Sequence, residues 1–116
     1  MIEKIERMVM LFDFYGKLLT EKQLEMLSLY YEQDFSLSEI AENYNVSRQA
    51  IHDILKRSEK ILEEYEQKLG LVKKFTLEQD RLKRAIELIE NSDVDNCLKE
   101  KIFNLLNEIS DVQNND

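Results

Sequence analysis

The sequence predicts an all-α fold: a helix-turn-helix with a long recognition helix, followed by a C-terminal helical hairpin. Three observations carry that expectation. The 116 residues contain no Pro and only two Gly, at positions 16 and 70, while 34% are charged; such a chain runs through long helices without breakers. Apolar residues recur at three- and four-residue spacing along most of its length. Residues 36–57, SLSEIAENYNVSRQAIHDILKR, have the layout of two helices meeting at a sharp turn.

The elements follow in order. A first helix spans Ile2 to Tyr15, with Ile2, Ile5, Val9 and Phe12 as its apolar stripe and Gly16 as its end signal. Thr20 opens a second helix, with Gln23 completing a capping box. Leu24, Leu27 and Tyr31 mark its inner face, and residues 33–36 connect it to the motif.

Ser36 and Glu39 form the next capping box. Ile40 and Ala41 are the residues this scaffold helix must bury. Asn45 tolerates the left-handed backbone of a sharp turn, Val46 plugs that turn, and Ser47 caps the second motif helix. Ile51 and Ile54 point back at Ile40 and Val46, so the expected motif core is Ile40, Ala41, Val46, Ile51 and Ile54. The outer side is left with Arg48, Gln49, His52, Lys56 and Arg57, together with Asp53. In a helix-turn-helix that side enters the DNA major groove.

The second motif helix meets no breaker before Gly70. From residue 48 to 69 it would span roughly 33 Å. Ile51, Leu55, Leu62, Tyr65 and Leu69 form a heptad-like seam interrupted at Ser58, and a seam needs a partner: the C-terminal helices or a second copy of the chain. Together with the paired half-sites of helix-turn-helix proteins, it predicts a homodimer. Phe75 and Thr76 open the next helix, with Gln79 completing a box and Leu82, Ile86 and Ile89 as its stripe. Residues 91–93 break it. The last helix covers residues 94–110, with Leu98, Ile102, Leu105 and Ile109 inward. The expected organisation is a motif-bearing unit at 1–70, a hairpin at 71–110 and a flexible tail at 111–116.

Composition narrows the function. A single Cys and a single His cannot make a zinc finger, and Cys97 is read as a small buried apolar residue. No nucleophile–base set, Gly-rich phosphate loop or metal-ligand cluster is present, so neither an enzyme nor a cofactor is expected. No run of 18 apolar residues occurs, so no membrane span is expected. The N-terminus lacks a signal-type apolar region, which predicts a cytoplasmic protein. The net charge is −8. Residues 36–58 carry three positive and three negative charges, and the segments 1–35 and 76–116 are acidic.

Each constellation has a functional and a plain reading. The motif either contacts DNA through Arg48, Gln49, His52, Lys56 and Arg57, or serves as a scaffold whose outer face does something else. Gln and Arg suit adenine and guanine edges; Asp53 would repel phosphates. His52 has no partner set that makes it a catalytic base. The carboxylates Glu63, Glu64, Glu66, Asp93 and Asp95 lack calcium-loop spacing and read as solvated helix faces. The five tyrosines fit packing better than RNA stacking. Lys73, Lys74, Arg81, Lys83 and Arg84 form a second basic cluster suited to a phosphate backbone, or simply a balanced helix surface.

Residues 19–62 resemble region 4 of bacterial sigma factors. The features are the Leu-Thr-x-x-Gln opening, the Ser-x-x-Glu-Ile-Ala scaffold helix and the Ser-x-x-x-Ile start of the recognition helix. In 116 residues the polymerase-gripping region of a sigma factor is not expected. Over nearly its full length, including the FDFYGKLLTEKQ junction and the acidic C-terminal hairpin, it is similar to the bacterial YlxM family. That resemblance implies a helix-turn-helix DNA-binding regulatory or accessory protein and no enzyme. From the family's gene neighbourhood it also implies a role in the signal recognition particle pathway, with that particle's GTPase or RNA as the alternative partner.

Overall fold

The computed structural model describes residues 2–114, and side chains from residue 3 to 110. These residues form six α-helices and no strand: α1 Ile2–Tyr15, α2 Glu21–Leu27, α3 Leu37–Tyr44, α4 Arg48–Leu69, α5 Leu71–Glu90 and α6 Asn96–Asn114. A 3₁₀ turn, Gly16–Leu18, follows α1, and a π-turn, Ser28–Glu32, extends α2. The chain divides into two compact units after Val72.

In the first unit α4 is the central post. Ile51, Leu55, Ser58 and Leu62 are buried along one side of it, against Met8, Leu11, Phe12 and Tyr15 of α1 and Met26 and Leu27 of α2. The seam expected to await the hairpin or a second copy is therefore covered by the chain's own α1 and α2. Only its end emerges, with Leu69 55% exposed. Ser58 does not break the seam, because its hydroxyl donates to the Ile54 carbonyl at 2.8 Å, which lets a polar residue sit fully buried. Arg7 ties α1 to α4 outside the core through two bonds to Glu63, 2.8 Å from Nε and 2.6 Å from Nη2.

The buried stripe of α1 is Met8, Leu11, Phe12 and Tyr15, with Ile5 51% exposed. Of the expected series only Phe12 belongs to it, and Val9 is half-buried; the Ile2 side chain lies outside the described residues. The helix is apolar over more than one face, so periodicity alone does not choose between stripes. Tyr15 decides it: the ring stacks on Tyr65 at 5.9 Å and the hydroxyl donates to Glu66 Oε1 at 2.6 Å. A buried phenol needs such a partner.

Gly16 ends α1 for a reason of space. A Cβ there would lie 2.9 Å from the Phe12 ring and 3.3 Å from Leu24. Gly70 ends α4 for a reason of backbone, with φ 64°, the left-handed conformation glycine adopts without strain.

The second unit holds most of α5 and α6. The expected start of α5 at Phe75 and Thr76 is corrected to Leu71. The first amides are satisfied by side chains of α1 and α4: the Leu71 N–H donates to the Tyr15 hydroxyl and the Val72 N–H to Glu66 Oε1, each at 3.0 Å. At α6 the cap is Asp95, whose Oδ1 accepts from the Cys97 N–H at 2.8 Å. That start leaves Cys97 exposed, not buried. Leu98, Leu105 and Ile109 also face outward. The side toward α5 instead carries Leu106 and Ser110, which line one groove with Leu82 and Ile86; Ser110 Oγ donates to Gln79 Oε1 at 3.3 Å. Helix α6 continues through residues 111–114, expected to be tail; residues 115 and 116 lie outside the described residues.

Candidate nucleic-acid interface

The turn between α3 and α4 is built by local chemistry. Ser36 Oγ accepts from the Glu39 N–H at 3.1 Å, and Glu39 Oε1 accepts from the Ser36 N–H at 3.0 Å. That backbone N–H, and then the Ser36 hydroxyl, hold the Glu39 carboxyl below its usual range. At the other end Asn45 is left-handed, with φ 55°. Its N–H donates to Glu42 O at 3.2 Å, and the Val46 N–H donates to Ala41 O at 3.0 Å, the paired bonds of a Schellman stop. Ser47 then caps α4, accepting from the Ala50 N–H at 3.1 Å.

Of the expected motif core, Ile40, Ala41 and Ile51 are buried and Ile54 is half-buried. Val46 departs from that set at 44% exposed. The Schellman geometry explains it: the residue after the left-handed position lies back over Ala41, on the outside of the turn.

Arg48, Gln49, His52, Lys56 and Arg57 are all exposed. Helical spacing sorts them. Gln49, His52 and Lys56 share the central ridge of α4 with Asp53. Arg48 lies on the α3 side, lining a shallow groove with Ser38, Asn45 and Val46. Arg57 lies on the α2 side, lining an open groove of about 520 Å³ with Thr20, Lys22 and Gln23. The ridge is thus flanked by one arginine on each side.

The electrostatics of the ridge are mixed. Asp53 Oδ1 accepts from Gln49 Nε2 at 2.9 Å and lies 3.7 Å from His52 Nδ1. Lys56 Nζ is 3.6 Å from Glu59 Oε1. Glu59 also accepts from the Tyr31 hydroxyl at 2.8 Å and pairs with Lys4 at 3.6 Å. Burial, then Glu59, push the Tyr31 hydroxyl well above its ordinary range. Among the described residues no carboxylate pairs with Arg48 or Arg57, so within the expected set these two, unlike His52 and Lys56, have no carboxylate beside them.

Sequence reasoning missed Lys22 and Ser38, which the fold brings beside Arg57 and Arg48. Their signal was the capping boxes themselves: each lies in the exposed first turn of a capped helix beside α4. Among the described residues no three His, Cys, Asp or Glu gather to hold a metal, and no helix is long and apolar enough to cross a membrane.

A capped scaffold helix, a left-handed Asn turn and an exposed second helix define a helix-turn-helix protein. The comparisons agree. The sequence profile of the family described as "Putative helix-turn-helix protein, YlxM / p13 like" matches residues 2–105. UPF0122 protein YlxM of Bacillus subtilis is 54% identical over 91 residues, which cover 78% of this chain and 83% of the relative. A UPF0122 protein of Bacillus pumilus is 55% identical over 91 residues, with the same coverage. A Listeria welshimeri UPF0122 protein is 47% identical over 112 residues, covering 97% of this chain and 99% of the relative. The chain belongs to this YlxM / p13-like family.

Proposed function

We propose that the protein is a cytoplasmic DNA-binding regulator that lays the outer side of α4 in a major groove. The observation that carries this reading is the exposed ridge of Gln49, His52 and Lys56 flanked by Arg48 and Arg57. Gln49 is the base reader, since its amide suits the adenine edge. Arg48 and Arg57 take phosphates on either side, with Ser38 and Lys22 beside them. Two copies would read half-sites about one helical turn apart. The test is selection from a random duplex pool, followed by Arg48→Ala and Gln49→Ala. The reading expects an enriched sequence, with Gln49→Ala relaxing the preference at one position and Arg48→Ala weakening all sequences alike. No enrichment, or binding unchanged in both variants, rejects it.

A second reading is favoured by Asp53 at the centre of the ridge and by the net charge of −8. Each phosphate contact needs a cation, and this ridge is close to neutral. The helix-turn-helix would then be a scaffold, and the protein an accessory that binds the signal recognition particle GTPase or its RNA. The family resemblance and its gene neighbourhood point the same way. Failure to form a complex with the reconstituted particle removes this reading.

A further inference from the structure

In the second unit, none of the described side chains from residue 73 to 110 is buried. Helices α5 and α6 meet through half-buried residues such as Leu82, Ile86 and Leu106, yet a stable domain needs a second packed layer. On α6, Leu98, Leu105 and Ile109 are 47%, 60% and 49% exposed. With the half-buried Ile102 they repeat at intervals of four, three and four, the seam of a coiled coil.

We infer that this face is the homodimer interface, formed by antiparallel pairing of α6 with α6 of a second copy. This deepens the two-copy element of the proposed function and moves the interface from α4, whose seam the chain itself fills. The residue order is self-complementary. Placed antiparallel, Leu98 meets Ile109 of the second copy and Ile102 meets its Leu105, and a twofold axis repeats both pairs. The result is four layers of one Leu and one Ile.

Charge selects the direction. Lys101 and Glu108 are both exposed and both flank the seam on the same edge, one heptad apart. In an antiparallel pair this edge faces itself, so each Lys101 meets Glu108 of the other copy, twice per dimer. In a parallel pair the edge faces the opposite one, where Lys101 meets Leu106 and no ion pair forms.

The test is sedimentation of the full chain without nucleic acid from micromolar to hundreds of micromolar, so that failure of the dimer and failure of DNA binding are read separately. The expected species has twice the 13.9 kDa chain mass. Leu105→Lys leaves a monomer with unchanged helical circular dichroism, since Leu105 is already the most exposed residue of the seam. Lys101→Glu and Glu108→Lys each weaken association by about threefold to tenfold, and the double exchange restores it. A chain that is monomeric throughout overturns the inference, as does a dimer that tolerates Leu105→Lys. Single exchanges that weaken association without rescue by the double exchange overturn the antiparallel arrangement.

Discussion

Tyr15 and Leu71 are joined by a hydrogen bond across 56 positions of sequence, the Tyr15 hydroxyl accepting the Leu71 N–H at 3.0 Å. The same hydroxyl donates to Glu66, whose carboxylate takes the neighbouring Val72 N–H. One fully buried phenol thus joins the end of α1, the last turn of α4 and the first turn of α5. Tyr15→Phe removes the oxygen and keeps the ring. It should cost about 1–3 kcal/mol in chemical denaturation, because it strands buried polar partners. Amide exchange should quicken at Leu71 and Val72; unchanged protection there would show that the linkage does not hold the helix start.

Gly16 gives a test of packing. A methyl group at this position meets the Phe12 ring at 2.9 Å, so Gly16→Ala should destabilise by about 1–3 kcal/mol through overpacking. Gly70→Ala meets nothing and should cost about 1 kcal/mol through its left-handed backbone alone. The pair separates the two uses of glycine: a Phe12→Leu background should rescue Gly16→Ala and leave Gly70→Ala unmoved.

Stability should fall in alkali. Burial raises the Tyr15 and Tyr31 hydroxyls, with Glu66 and Glu59 adding to it. Tyr44 is pushed up to about 12, chiefly by its hydrogen bond to Glu25. In the unfolded chain all three ionise at the ordinary value of 10.0. The folded state therefore holds protons the unfolded state has released. The stabilisation is complete below pH 10 and declines as pH rises from there through the folded values. Denaturation midpoints between pH 8 and 12 check it, and Tyr31→Phe should flatten the slope.

Asp53 should act as a brake on DNA binding. It occupies the Gln49 amide at 2.9 Å and places a negative charge on the ridge. Asp53→Asn should tighten duplex binding by about threefold to tenfold and steepen its salt dependence, measured by fluorescence anisotropy at several salt concentrations. Weaker binding would mean that Asp53 is itself a reader, accepting from cytosine N4.

What the sequence discloses here is what neighbours in sequence decide. The boxes at Thr20–Gln23 and Ser36–Glu39, the Asn45 turn, the Ser47 cap and both ends of α4 are each settled within a few residues. The outward placement of Arg48, Gln49, His52, Lys56 and Arg57 follows from that helix and its spacing. The failures are of another kind. Thr76 and Gln79 have the spacing of a box, but α5 starts earlier because Tyr15 of α1 and Glu66 in the last turn of α4 supply its cap. Ile5 and Leu98 belong to regular apolar stripes, yet packing turned those stripes outward. Val46 is apolar and beside the turn, but its place after a left-handed residue puts it outside. Lys22 and Ser38 join the site only once α2 and α3 are laid beside α4.

The tie between Tyr15 and the first amides of α5 also sets an order of events at the ribosome. The core residues of the first unit all precede position 73 among the described residues, and Val72 is the last of them. Synthesised from the N-terminus, α1 must wait for almost the whole of that unit before its phenol finds Leu71. Once residue 72 has emerged, the first unit has its whole described core and α4 can lock into place before α6 has left the ribosome.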